Sequence, residues 1–293
     1  MIKKEEKMIK NRTLSFIIIA IVYVLATAGG VLTYIALPFE PWLSLLIADI
    51  VATAITFVFS VIFKNASVYD PYWSVQPIVI LTAFFIYESV TIINVLLLVV
   101  VYIWGVRLTA NWAYTFKNLE HQDWRYTKYQ NMTKKFYPIV NFFGIHLMPT
   151  LIVYACTLPC VFVMQNGLDG NVFSYIFLAI SLSAVILQGT ADYQIHKFIK
   201  NKNGQNFITS GLWKYSRHPN YLGEILMWWG VGLACVSILP SMWYLLAGAV
   251  VNTLLFLFIS IPLADGKQAQ KQGFEEYKNS TRMLLPIKRF KKN

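Results

Sequence analysis

Long apolar runs dominate this chain and restrict what it can fold into. Between clusters of charge, stretches of about 18 or more residues carry almost no ionisable side chain, the length a helix needs to cross a hydrocarbon core of roughly 30 Å. A buried helix of a large soluble protein would show a polar face at a 3.6-residue period, and most of these runs show none. Composition agrees: 57% of residues are hydrophobic and 13% charged, whereas soluble domains are about 45–50% apolar. The expected fold is an all-α, polytopic membrane bundle of about eight transmembrane helices. The expected spans are Leu14–Leu37, Trp42–Phe63, Val75–Tyr87, Val90–Leu108, Ile139–Met164, Val172–Ala191, Leu222–Leu239 and Met242–Leu263. The third is short enough to tilt or re-enter.

Lysine and arginine set the orientation. With the N-terminus inside, the outer connections are Pro38–Pro41, Glu88–Ser89, Gln165–Asn171 and Pro240–Ser241, and none contains a cation. All 25 basic residues then fall in the head, the inner loops, the inner helix ends or the tail. Both termini are expected to be cytoplasmic. The net charge of +11 follows from this bias and from attraction to anionic membrane lipids. No nucleic-acid motif accompanies it. The three cysteines, Cys156, Cys160 and Cys235, form no CxxC pair and read as packing residues. The chain divides into a polar head (1–13), an N-terminal helix pair (14–65) and a main membrane domain (66–293).

The chemistry must reside in the inner polar segments. Lys64–Ser74 contains Asp70-Pro71-Tyr72-Trp73-Ser74, and Thr109–Pro138 contains Glu120-His121-Gln122-Asp123-Trp124-Arg125-Tyr126. The segment Asp192–Tyr221 is the most informative. Gln188, Asp192, His196 and Lys200 are spaced by four and form one stripe as the sixth expected helix leaves the bilayer. An acidic group there is costly unless paired or solvated, so Asp192 is a functional candidate, whereas His196 and Lys200 read as a wetted interfacial face. Gly211 breaks the chain, and Pro219 is placed to open the next helix. That helix start has free N–H groups and a positive dipole, with Lys214, Arg217 and His218 beside it and Asn220, Tyr221 and Glu224 one turn in. An anion site backed by hydrogen-bonding groups suits a nucleotide cofactor. The competing reading is that Lys214 and Arg217 anchor the helix to lipid phosphates. Asp49, Asn94 and His146 are further polar residues inside apolar runs. Asp49 is a candidate for lining a substrate cavity, and His146 reads as a packing residue.

Gly211-Leu212-Trp213-Lys214-Tyr215 followed by Asn220-Tyr221-Leu222-Gly223-Glu224 resembles the C-terminal domain of the steroid 5-alpha-reductase family, and more closely the bacterial membrane proteins of unassigned function grouped with it. Asp192 with Gln188, Phe274-Glu275-Glu276-Tyr277, Leu285-Pro286, and the Trp73 and Trp124 motifs extend the resemblance over roughly 66–286. It implies a reductase of the bacterial cytoplasmic membrane, with NADPH held by the C-terminal part (about 188–286) and open to the cytoplasm. In that reading the pyrophosphate meets the helix start with Lys214, Tyr215, Arg217 and His218. Gln188, Asp192, Asn220, Tyr221 and Glu224 serve the sugar and nicotinamide, and Arg282, Lys267 and Lys271 are further phosphate contacts. Hydride would go to a conjugated carbon–carbon double bond of a lipophilic, sterol- or lipid-like substrate, with Glu224, Tyr126 and Tyr72 as catalytic candidates. The steroid enzymes carry a Gln-Glu pair in an early helix and a Tyr in the next, and no adjacent Gln-Glu occurs here. The string Tyr215-Ser216-Arg217-His218-Pro219 is also similar to isoprenylcysteine carboxyl and phospholipid methyltransferases. That likeness implies S-adenosylmethionine as the cofactor, with Arg217 and His218 receiving its carboxylate and Glu275-Glu276 gripping the rest. A nonenzymatic lipid-binding role is the third reading.

Overall fold

The computed structural model describes residues 10–202 and 204–286. Most of the polar head expected at 1–13, residues 1–9, lies outside the described residues, as does the end of the basic tail, 287–293. The described chain is helical and contains no β-strand. One isolated parallel bridge joins Ser216 to Arg282.

The helices are α1 (Arg12–Ala36), α2 (Pro41–Ile62), α3 (Tyr72–Tyr87), α4 (Ile92–Thr115), α5 (Trp124–Thr133), α6 (Met148–Asn166), α7 (Val172–Lys200), α8 (Pro219–Ile238), α9 (Ala247–Leu255), α10 (Ile261–Gln268) and α11 (Phe274–Ser280). Their starts follow the local chemistry. The Asn11 side chain accepts the Leu14 N–H at the head of α1. Asn171 and Ser174 form a reciprocal cap on α7. Pro41 and Pro219 occupy the first helical positions of α2 and α8, where a missing N–H costs nothing. Two stretches, Val140–Leu147 and Phe256–Ser260, widen into π-helix. Each stops two residues before a proline, Pro149 and Pro262. A proline lacks the N–H for the preceding turn and its ring crowds that turn's carbonyl, and a wider turn relieves both defects.

Seven helical stretches among the described residues are long and apolar enough to cross a membrane: Arg12–Ala36, Pro41–Ile62, Ile92–Thr115, Trp124–Asn166, Val172–Lys200, Pro219–Ile238 and Pro240–Gln268. The third expected span, Val75–Tyr87, differs. It falls in α3, whose 16 residues reach only about 24 Å at 1.5 Å per residue. Helix α7 is longer than the sequence expectation. It carries nine residues past Ala191, to Lys200.

The chain forms two compact units. One comprises the chain up to Ile86 together with Gly105–Val161. The other comprises Tyr87–Trp104 and the chain from Phe162 onward. In the first unit α1 packs on α2 through Gly30, where an added Cβ would lie 3.3 Å from the Ala48 carbonyl. The same unit includes α3, the end of α4, α5 and most of α6. In the second unit α7 and α8 pack closely. A Cβ on Gly223 would lie 2.7 Å from the Ala184 carbonyl, and one on Gly230 would lie 2.2 Å from Ser181 Oγ. Ser181 Oγ also donates to the Met227 carbonyl at 3.0 Å.

Candidate functional site

In the second unit the expected stripe lies on α7 with a steep gradient of burial. Gln188 is fully buried, Asp192 is buried, His196 is half-buried and Lys200 is exposed. Gln188 packs its Cγ against Gly223 of α8, and neither the nitrogen nor the oxygen of its carboxamide has a hydrogen-bond partner. Such a group costs about 1–3 kcal/mol and marks a place where a polar partner is missing. Glu224, next to Gly223 in the chain, is also buried. Both of its oxygens lie 2.9 Å from Trp104 Nε1, and Trp228 Nε1 donates to Oε1 at 3.2 Å. The two indoles meet edge to face at 4.9 Å. Two indole N–H groups thus fix the carboxylate's orientation inside an apolar helix.

Above this level, the α8 start is bound to the C-terminal segment. The Arg217 guanidinium is buried, donates to the carbonyls of Lys278 at 3.1 Å and Thr281 at 2.8 Å, and pairs with Asp265 at 2.9 Å. His218 Nε2 meets the other Asp265 oxygen at 2.9 Å and stacks on Tyr221 at 5.2 Å. The Arg217 N–H donates to the Arg282 carbonyl at 2.9 Å. The Tyr277 hydroxyl donates to the Trp213 carbonyl. Burial pushes that phenol up to about 12. Trp213 Nε1 donates to the Ala191 carbonyl at 3.2 Å and Leu212 N–H to Gln194 at 2.9 Å, fixing the loop on α7. Gly211, at φ +61°, lies where a Cβ would strike Gln194. Lys214, Tyr215 and Arg282 are exposed, the first lying 5.8 Å from the Tyr215 ring. Asn220 is half-buried, and its side-chain oxygen accepts the Tyr221 N–H at 3.1 Å.

The first unit holds a separate buried polar group. Asp49, eight residues into α2, accepts the Tyr72 hydroxyl at 2.8 Å on one oxygen and the Gln76 carboxamide on the other. Tyr72 and Gln76 are one turn apart on α3. The Tyr69 ring stacks on Tyr72 at 5.3 Å, and its hydroxyl bonds Thr150 at 2.8 Å, which also meets Thr53 at 3.0 Å. Tyr126 is placed differently. It donates to Asp70, and the two polar segments interlock around that contact. Asn65 donates to the Leu119 carbonyl at 2.7 Å, Ala66 N–H to Gln122 at 2.9 Å, and Asp123 N–H to Ser67 at 2.8 Å. Burial raises the Asp70 carboxyl to about 6, against the lowering pull of Arg125 and the Tyr126 hydroxyl.

Sequence reasoning named Gln188, Asp192, Asn220, Tyr221 and Glu224, and all lie on the facing helices α7 and α8. It did not name Trp104, Trp228 or Asp265 as partners, because each comes from a distant part of the chain. It noted Asp49 but not its pairing with Tyr72 and Gln76. The signal was available in the four-residue spacing of Tyr72 and Gln76. Among the described residues no His, Cys, Asp and Glu cluster could hold a metal ion.

The chain is 27% identical over 195 residues to an uncharacterized protein of Schizosaccharomyces pombe, covering 56% of each chain. It thus spans about half the length of that relative. No solved structure matches it. The family described as a protein of unknown function, DUF1295, matches residues 56–281. This match takes in α3 through α11 and both polar sites apart from Asp49, Thr53 and Arg282, and the chain belongs to that family.

Proposed function

We propose that this protein is a membrane-embedded reductase that uses NADPH to saturate a conjugated carbon–carbon double bond in a sterol- or lipid-like substrate. The observation that carries the reading is the trio Asp49, Tyr72 and Gln76. A carboxyl, a phenol and a carboxamide meet inside apolar helices. The steroid enzymes that the sequence resembles use the same three chemical groups on an early helix and the next one. In this chain the carboxamide comes from α3 instead of standing beside the acid on α2.

When bound, NADPH supplies the hydride. The residues of the chain do the rest. The Tyr72 hydroxyl turns from Asp49 to the substrate carbonyl and donates to the oxygen on which enolate charge develops. The Asp49 carboxyl, behind it, restores the proton. The enol so formed collapses to the ketone, its O–H proton being lost to solvent as one is taken up at the α-carbon. The proton given by Asp49 is replaced from solvent, so the net change adds one hydride at the β-carbon and one proton at the α-carbon. Gln188 fits the cofactor: its carboxamide is buried and unpartnered, and a donor–acceptor pair of this kind complements a nicotinamide carboxamide. Asp192 and Asn220 stand nearby for sugar hydroxyls. Arg217 is committed to Asp265 and two carbonyls, so phosphate contact falls to Lys214, Arg282 and the α8 start.

The same clasp bears on S-adenosylmethionine. Arg217 and His218, which would receive its carboxylate, already hold the carboxylate of Asp265, and Glu275 is exposed and within 3.9 Å of Lys278. NADPH oxidation by the detergent-purified protein, with a sterol enone as acceptor, tests the reading. Tyr72→Phe is expected to lower turnover by about 10²- to 10⁴-fold while leaving NADPH affinity unchanged. Undiminished turnover would remove Tyr72 from the mechanism.

A further inference from the structure

The first unit contains buried hydrogen-bond acceptors that the reductase reading does not use. His146, fully buried in the π-helical stretch, has Nδ1 2.9 Å from the carbonyl of Asn141, five residues back. A carbonyl only accepts, so the proton of the neutral imidazole sits on Nδ1 and Nε2 is a bare lone pair. That Nε2 has no partner. Nor do Gln76 Oε1 and Asn141 Oδ1, both buried. The hydroxyl donors around them are committed. Thr150 gives its proton to the His146 carbonyl at 2.9 Å, so the Tyr69 and Thr53 hydroxyls spend theirs on Thr150. Tyr72 and one N–H of the Gln76 amide spend theirs on Asp49.

Contacts tie these groups together. The His146 and Tyr69 rings lie 4.7 Å apart, and Tyr69 stacks on Tyr72 at 5.3 Å. On another side Phe57 meets the imidazole edge to face at 5.5 Å, with Phe142 behind it at 5.0 Å. The cluster is therefore rich in acceptors, short of donors and walled by aromatic rings. A π-helical segment at its centre fits a functional role, because such segments are concentrated at functional sites.

We propose that this cluster binds the hydroxyl group of a lipophilic alcohol, with O–H donated to His146 Nε2 and the hydrocarbon body against Phe57 and Tyr69. A hydroxyl supplies the missing donor without a net charge. An ammonium would have to be stripped of water within apolar helices, where Asp49 already accepts two donors. The site goes beyond the reductase reading and does not depend on the cofactor.

Hexadecan-1-ol and its methyl ether are the probes, since they differ in the donor alone. The alcohol is expected to bind the detergent-purified full chain about tenfold more tightly than the ether, the worth of one buried hydrogen bond. The ratio should fall toward one in His146→Phe. In protein labelled with ¹⁵N-histidine, the unprotonated Nε2 resonance should move upfield with the alcohol and stay put with the ether. Equal binding of the two probes would overturn the proposal. So would an Nε2 resonance already at a hydrogen-bonded position and unmoved by the alcohol, which means that resident water fills the site. If His146→Phe does not fold, the ¹⁵N comparison of alcohol and ether in the unaltered protein carries the test alone. NADPH binding to the His146→Phe protein, measured in parallel, separates a failure of the cofactor reading from a failure of this one.

Discussion

Replacing Arg217 with methionine keeps the length of the side chain and removes its charge and donors. The guanidinium is 8% exposed and its partner Asp265 is 13% exposed. Breaking one side of a buried ion pair costs about 3–5 kcal/mol, because the remaining charge stays desolvated. Asp265 keeps His218 at 2.9 Å, and the freed Lys278 carbonyl lies near solvent, so the lower end applies. A loss of about 3 kcal/mol corresponds to roughly a hundredfold in the unfolding equilibrium. Denaturation of the purified protein in mixed micelles reads it. Asp265→Asn, which keeps an acceptor, should cost less. The double variant should show coupling on the order of 1–3 kcal/mol rather than the sum of the two losses. A loss below about 1 kcal/mol in Arg217→Met, or strict additivity, would refute the clasp. An Arg217 that served only as a phosphate contact would leave stability intact and lower cofactor affinity instead.

Gln188→Met removes a buried carboxamide without partners, so the protein alone should gain about 1 kcal/mol while NADPH affinity falls; stabilisation without any change in affinity would detach Gln188 from the cofactor. Gly223→Ala places a methyl 2.5 Å from Gln188 Cγ and 2.7 Å from the Ala184 carbonyl; the expected cost is about 1–3 kcal/mol, and an unchanged melting temperature would argue against the close approach of α7 and α8. The Asp70 carboxyl, raised to about 6 when folded, holds more protons in the folded state than in the unfolded one between pH 4 and 6. Its contribution is full below pH 4 and is lost as pH rises through 6, up to about 3 kcal/mol. Asp70→Asn keeps an acceptor for Tyr126 and should flatten that slope in the pH dependence of unfolding; an unaltered slope would assign it to other groups.

The parts of this fold that rest on local chemistry were legible in the sequence. The apolar runs mark α1, α2, α4 and α7 through length alone, and Pro219 opens α8 as its φ requires. The stripe Gln188, Asp192, His196 and Lys200 follows from helical spacing and sinks into the interior in that order. What the sequence did not disclose depends on chains meeting across long separations. Trp104 reaches Glu224 over 120 residues, and Asp265 reaches Arg217 over 48. Neither spacing has a period. The place of Arg217 beside a helix start was legible, but its burial against Asp265 was not. Asp49 was legible as an acid inside an apolar run, but the Gln76 carboxamide that meets it arrives from α3 through packing. The π-helical stretches depend on how a proline's defect is absorbed, so the prolines were visible and the widened turns were not.

Cofactor binding to the detergent-purified protein tests the central claim most directly, with NADPH and S-adenosylmethionine compared by calorimetry and thermal shift. A ligand that binds only the folded form raises its apparent stability by mass action. The account predicts heat and stabilisation with NADPH, both lost in Asp192→Ala and weakened in Gln188→Met, and neither with S-adenosylmethionine. Stabilisation by S-adenosylmethionine with no response to NADPH would contradict it, and would require Arg217 to release Asp265 in favour of a ligand carboxylate.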